Sequence, residues 1–162
     1  MQFKPFTYSF LFALITISFT SLSQVSNTAS IKNGIKIKTD GLTVSKAYLT
    51  DEAGKEKKLN ATALNEAIYV KLEISGWFVK NGKVNLGASE KITTDKNLLI
   101  LYEDDLFPGK TDYDAEDAKY IHVKAIITSI QGDIKFFTVK FRVWDKNNGN
   151  EITGTYTFSI TK

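Results

Sequence analysis

The sequence predicts an all-β protein, an antiparallel β-sandwich of about eight or nine strands in the immunoglobulin-like or C2-like style. Apolar and polar residues alternate with period two along segments rich in β-branched and aromatic residues. Turn signals separate these segments at regular intervals. No amphipathic helix of useful length is present, although residues 113–119 could form one helical turn.

Three segments in the first half of the chain have the pattern of strands. Two isoleucines alternate with Lys36 and Lys38, and these lysines indicate a sheet edge, where charge discourages pairing with another chain. Residues 42–49 change phase midway, which predicts a bulge near Lys46. Residues 68–75 alternate without interruption and form the third predicted strand.

The middle of the chain contains the strongest turn signal. Asn81-Gly82 between two alternating arms is typical of a type I′ hairpin. A strand containing Ile92 and another at residues 98–102 follow, joined by a turn at Asp95-Lys96. The predicted hairpin pairs are Val79 with Val84 and Trp77 with Leu86.

Residues 119–130 are predicted to form a long strand that pairs with residues 137–143. A two-residue turn at Gly132-Asp133 would set His122 opposite Val143. We therefore expect either a three-residue loop or a bulge just before it, because a shift of one residue restores apolar pairs. These pairs are Ile127 with Phe137, Val123 with Phe141 and Ile121 with Val143.

The last two strands fix their own register. Residues 152–161 alternate apolar residues with threonine and serine, and residues 137–143 repeat the pattern. A four-residue loop joins them if Asp145 lies opposite Asn150, with Gly149 in the left-handed conformation. A slip of one residue would turn polar side chains inward. The predicted pairs are Val143 with Ile152, Phe141 with Gly154, Val139 with Tyr156 and Phe137 with Phe158.

The N-terminus resembles a secretory signal peptide, residues 1–23. Lys4 supplies positive charge, an apolar run follows at residues 10–19, and small residues precede a cleavage point before Gln24. An uncleaved anchor is the alternative. We expect an exported protein, periplasmic or extracellular, without membrane insertion after cleavage. Residues 24–33 would be a flexible lead, and residues 34–162 a single domain.

Composition narrows the possible partners. The net charge is +3, and Arg142 is the single arginine among 21 basic residues. A nearly neutral chain with little arginine argues against a nucleic-acid partner. The chain has no cysteine, which excludes disulfides and thiolate metal sites.

An acidic loop at residues 103–117 is the candidate metal site. Calcium takes six to eight oxygen ligands, so carboxylates at this density could hold it. The segment from Asp112 begins like an EF-hand loop but has Asp117 where the turn needs glycine. A solvated surface loop is the alternative. The candidate ligands are Asp104, Asp105, Asp112, Asp114, Glu116 and Asp117.

The last hairpin resembles the penultimate hairpin of C2 domains. The resemblance is carried by residues 141–156, with Asp145 and Asn147 in the loop. In C2 domains an Asp-x-Asp loop at this place helps to bind calcium for membrane docking. The resemblance therefore implies a calcium-dependent module, although the second aspartate is Asn147 here.

Few catalytic patterns are present. His122 is the single histidine, and no glycine-rich phosphate loop, nucleophile elbow or zinc-protease motif occurs. A hydrolase that uses two carboxylates remains an alternative, with Asp104, Asp112 and Asp114 as candidates.

The predicted function is therefore an exported, non-catalytic binding module. Exposed aromatic rings stack on sugars or fill pockets at protein interfaces. The expected ligand is a protein partner or a glycan at the cell surface or in the periplasm, and burial of these rings is the alternative. The candidate ligand-binding residues are Trp77, Tyr120, His122, Phe136, Arg142 and Trp144.

Overall fold

The computed structural model describes residues 29–109 and 112–161, which form two β-sheets around one core. Sheet A contains, in spatial order, β1 (Ser30–Ile31), β3 (Thr43–Thr50), β5 (Ala67–Ser75) and β10 (Tyr120–Ile126). Sheet B contains β2 (Lys36–Asp40), β12 (Glu151–Thr161), β11 (Phe137–Asp145), β7 (Leu86–Thr94) and β8 (Leu99–Glu103).

Short elements complete the fold. β4 (Ala61–Ala63) pairs in parallel with the end of β12, while β6 (Lys83–Val84) and β9 (Tyr113–Asp114) form a separate two-stranded sheet. A 3-10 turn spans Asp117–Lys119. Of the twelve strands in the described part of the chain, eight have five residues or more, in agreement with the predicted number. Among the described residues, no helix is long and apolar enough to cross a membrane.

The core lies between the inner faces of the two sheets, which confirms the predicted all-β sandwich. Sheet A contributes aliphatic residues such as Leu49, Val70 and Val123, all essentially inaccessible to solvent. Sheet B adds the large rings, and Phe137 stacks on Phe158 with 5.6 Å between ring centroids. Burial of apolar surface on this scale is the main driving force for folding.

The predicted register of the last hairpin is confirmed at every pair. The main-chain N–H of Asp145 donates to the carbonyl of Asn150 at 2.8 Å, and Gly149 has φ +78°. The hydrophobic pattern therefore determined this hairpin, because only this register keeps both apolar rows inside.

Three local predictions are also confirmed. The pairing of β3 with β5 shifts between Val44 and Lys46, where the bulge was expected. β2 lies at the edge of sheet B. The turn between β7 and β8 includes residues 95–96, and the two strands pair directly.

The predicted pairing of β10 with β11 is wrong. β10 pairs with β5 in sheet A, whereas β11 lies between β12 and β7 in sheet B. Residues 127–136 carry the chain from one sheet to the other. Alternation identifies the buried side of a strand, but it does not reveal whether the partner lies beside that strand or across the core.

The Asn81-Gly82 hairpin is only partly as predicted. Both residues have positive φ and Lys80 and Lys83 exchange two hydrogen bonds of 2.9 Å, which fits the type I′ turn. The pairing does not continue, however, because Val79 is 51% exposed and Val84 pairs with β9 instead. The buried carboxylate of Asp145 accepts a hydrogen bond from the main-chain N–H of Phe78 at 2.7 Å. This contact holds the first arm of the predicted hairpin away from the second.

The structure describes residues 29–33 of the predicted N-terminal lead, while residues 24–28 lie outside the described part of the chain. Ser30–Ile31 forms β1, which pairs in parallel with β3. The Asn33 side chain fixes this region, since its Oδ1 accepts the N–H of Leu49 and its Nδ2 donates to the carbonyl of Lys57. The predicted signal peptide lies outside the described residues.

One acidic side chain points into the core of sheet B. Glu90 is 2% exposed, and its Oε1 has no hydrogen-bond partner among the described residues. Burial disfavours the charged form and raises the pKa of Glu90 to about 8. Near neutral pH the core therefore contains mostly the neutral acid.

We expect the stability of the protein to fall between pH 5 and pH 8 because of Glu90. The ordinary pKa of this group is 4.5, so above that pH the folded state holds a proton that the unfolded chain has released. Stability is then lost as the pH rises toward about 8. Glu90→Gln should flatten this dependence when melting temperatures are compared across the range.

Glu103→Gln is the matched control, because Glu103 lies opposite Glu90 on β8 and is exposed. An unchanged pH slope in Glu90→Gln would refute this account of the core.

Gly154 is expected to be essential for packing beneath Phe141. A Cβ at this position would overlap the Phe141 ring. Gly154→Ala should therefore lower the free energy of unfolding by about 1–3 kcal/mol, measured by chemical denaturation. Thr153→Ala, on the opposite face of the same strand, serves as the control, and equal stability of Gly154→Ala and the parent would contradict the packing described.

Candidate binding surface

The outer face of sheet B carries two rows of polar side chains that cross the strands. Strand pairing aligns residues of neighbouring strands, and every second residue points outward. The first row is Lys36, Thr155, Lys140, Lys91 and Tyr102. The second row is Lys38, Thr153, Arg142 and Ser89.

These two rows line an open groove, here called the sheet-B groove, with a volume of about 510 Å³. The volume lies within the range typical of small-ligand sites. The hydroxyl groups of Ser89, Thr153 and Thr155 lie among five cationic side chains. Tyr102, on the edge strand β8, is 62% exposed and ends the first row.

Arg142 is held in a fixed position on this face. Its Nε donates to Glu151 at 2.6 Å, and its guanidinium lies 4.7 Å from the ring centroid of Trp144. Trp144 in turn lies across Gly87, where any side chain would overlap the indole. Stacking and ion pairing both orient a guanidinium, so Arg142 presents a defined cation at one side of the groove.

The lysines of the groove differ from Arg142 in their surroundings. Within residues 29–109 and 112–161, no ion pair joins Lys36, Lys38, Lys91 or Lys140 to a carboxylate. Lys140 and Lys91 stand directly opposite each other on neighbouring strands. Among the described residues, five cationic side chains therefore give the groove a positive potential, which the ion pair of Arg142 with Glu151 reduces locally.

The structure does not bring the predicted ligand-binding residues together in one place. Arg142 and Trp144 lie on the outer face of sheet B, whereas Tyr120 and His122 lie on the outer face of sheet A. Trp77 lies at one end of the sandwich, where its Nε1 donates to the carbonyl of Ala118 at 2.9 Å. Phe136 precedes β11 and is partly exposed. These six residues therefore do not form one surface.

The outer face of sheet A is electrostatically different. Lys46 pairs with Glu73 at 2.9 Å, beside Tyr120. The pKa of His122 is lowered by partial burial and by the neighbouring Lys71. A depression of about 400 Å³ includes these residues. The charges of Lys46 and Glu73 within it already neutralise each other.

The acidic loop is not gathered around one point. The Asp105 carboxylate accepts hydrogen bonds from Lys146 Nζ at 2.7 Å and from the N–H of Phe107 at 2.9 Å. Asp114 pairs with Lys83 and Glu116 with Lys119. In the part of the chain that the structure describes, no group of three or more potential metal ligands is found.

The loop between β11 and β12 makes hydrogen bonds within the protein. Asp145 is fully buried, and its two oxygens accept the main-chain N–H groups of Phe78 and Asn147 at 2.7 and 2.9 Å. These hydrogen bonds hold two loops together at this end of the sandwich.

Sequence reasoning identified only part of the groove. Lys140, Arg142 and the threonines of β12 were recognisable as one outer face from the hairpin register alone. Lys36 and Lys38 were interpreted only as protection of an edge, because the pairing of β2 with β12 is not encoded locally. Lys91 joins the face through the pairing of β7 with β11.

Comparison with known proteins identifies the fold and not a family. No family model matches the sequence, and no curated protein matches it. Solved structures do match, among them the crystal structure of the C-terminal domain of Wzt. It has a TM-score of 0.53 and 10% sequence identity, with 83% of this chain and 82% of that chain covered. The chain thus has a β-sandwich fold that is shared with the C-terminal domain of Wzt.

Proposed function

We propose that this protein is a non-catalytic glycan-binding module and that the sheet-B groove holds the glycan. The observation that carries the proposal is the groove itself, which combines hydroxyl groups, cations and an exposed aromatic ring on one rigid sheet face. Rigid placement matters, because side chains fixed on strands lose little entropy when a ligand binds.

The chemistry of the groove suits a sugar chain. Serine and threonine hydroxyls donate and accept hydrogen bonds, as sugar hydroxyls do. Tyr102 offers an exposed ring at the edge of sheet B for stacking against the apolar face of a sugar. The groove crosses several strands and lies open to solvent, so a chain longer than a single sugar can lie along it.

A protein partner fits this face less well. The cores of protein interfaces are enriched in aromatic residues and depleted in lysine. Here four lysines line the groove, and one exposed aromatic ring, Tyr102, lies at its end. We therefore favour a glycan over a protein as the occupant of the groove.

Binding without cleavage also agrees with the carboxylates present. Glycosidases normally place two carboxyl groups on either side of the scissile bond. Glu90 is the one carboxylate among the residues that line the groove, and its side chain points into the core. The groove therefore lacks the pair that hydrolysis requires.

The proposal is tested by measuring glycan binding of the purified protein and two tyrosine variants. A glycan array identifies the best ligand, and calorimetry gives its affinity. Tyr102→Ala should weaken binding by about 5- to 10-fold, because stacking is lost.

Tyr120→Ala is a close control, since Tyr120 is 61% exposed and Tyr102 is 62% exposed, on opposite sheets. Absence of any glycan ligand would overturn the proposal. So would a loss of affinity in Tyr120→Ala with no change in Tyr102→Ala.

A further inference from the structure

We infer that the glycan bound by the sheet-B groove carries repeated negative charges, as a chain of sugar acids does. This inference rests on the proposed glycan-binding function. It concerns the charge of the ligand, which that function leaves open.

The positions of the cations favour a linear polyanion. Lys36 and Lys140 lie in one row, two strands apart, which corresponds to about 10 Å between their main chains. Lys91 is one strand further, at about 5 Å, and Lys38 is about 7 Å along β2 from Lys36. The charges are therefore spread over the face and do not converge on one point, as they would around a single small anion.

One pair of lysines in the groove is in an arrangement that destabilises the sheet. Lys140 and Lys91 are directly opposite on the antiparallel strands β11 and β7, and like charges in this arrangement destabilise a sheet. Edge protection does not explain them, because both strands have neighbours on each side. A bound anion between the two ammonium groups would remove the repulsion.

Five lysines elsewhere on the described surface are neutralised by acids. Lys32, Lys46, Lys83, Lys119 and Lys146 each have a carboxylate within 3 Å. The four lysines of the groove have none among residues 29–109 and 112–161. Other described lysines, such as Lys71 and Lys124, also lack such an ion pair, but the groove gathers four of them and Arg142 on one face.

A chain of sugar acids suits this face better than a nucleic acid. Nucleic-acid sites typically combine lysines with bidentate arginine or free main-chain N–H groups on the phosphates. The single arginine, Arg142, is already paired with Glu151, and the central strands of sheet B use their N–H groups within the sheet. Single-stranded nucleic acids also need several stacking rings, whereas the groove offers Tyr102 alone.

The test compares polygalacturonate with the same polymer after chemical reduction of its carboxyl groups. The purified protein should bind the acidic polymer at least 10-fold more tightly, and higher salt should weaken this binding, because salt screens exposed charges. The double variant Lys91→Gln, Lys140→Gln should lose roughly 3- to 20-fold in affinity for polygalacturonate. Its affinity for the reduced polymer should not change.

Two controls separate specific recognition from general charge effects. Lys124→Gln removes an exposed lysine from the outer face of sheet A and should leave binding unchanged. The double variant should also melt slightly higher than the parent, because it relieves the repulsion between opposed lysines. A lower melting temperature would contradict the like-charge argument.

Other outcomes are decisive as well. Equal affinity for the acidic and the reduced polymer would overturn the charge inference and leave the glycan proposal standing. Binding of neither polymer, together with no hit on the array, would overturn both. Tighter binding to a single-stranded oligonucleotide or to phosphatidylserine vesicles, with the same dependence on Lys91 and Lys140, would replace the sugar acid with that ligand.

Discussion

The register between β11 and β12 is the constraint on which the rest of the structure depends. Val143 faces Ile152 and Phe137 faces Phe158, which places the rings of Phe137, Phe141, Tyr156 and Phe158 inside. The same register sends Lys140, Arg142 and the threonines of β12 outward. One set of hydrogen bonds therefore determines both the core and the chemistry of the outer face, because successive residues of a strand alternate between the two.

What the sequence predicts well is local. The last hairpin, the bulge in β3 and the Asn81-Gly82 turn each depend on residues within a few positions of one another. The assignment of β10 to sheet A could not be predicted in this way. In a sandwich, a strand buried on one side has the same pattern whether its sequence neighbour lies beside it or across the core.

The candidate site was half predictable for the same reason. Arg142 and Trp144 were recognised because they lie in the hairpin that the sequence determines. Lys36 and Lys91 reach the groove through contacts with residues about 50 or more positions away. Gly87 illustrates the limit of such predictions, since no residue near it in the sequence indicates that Trp144 will lie across it.

The lysines of β2 have a second role that follows from their place at the border of sheet B. An edge strand offers unpaired main-chain groups to other molecules, and its charge keeps those molecules apart. Any polyanion that neutralises Lys36 and Lys38 therefore also removes an electrostatic barrier to self-association. On the proposed function, colloidal solubility and ligand binding would be coupled, and a long acidic polymer with protein in excess would gather several copies along one chain.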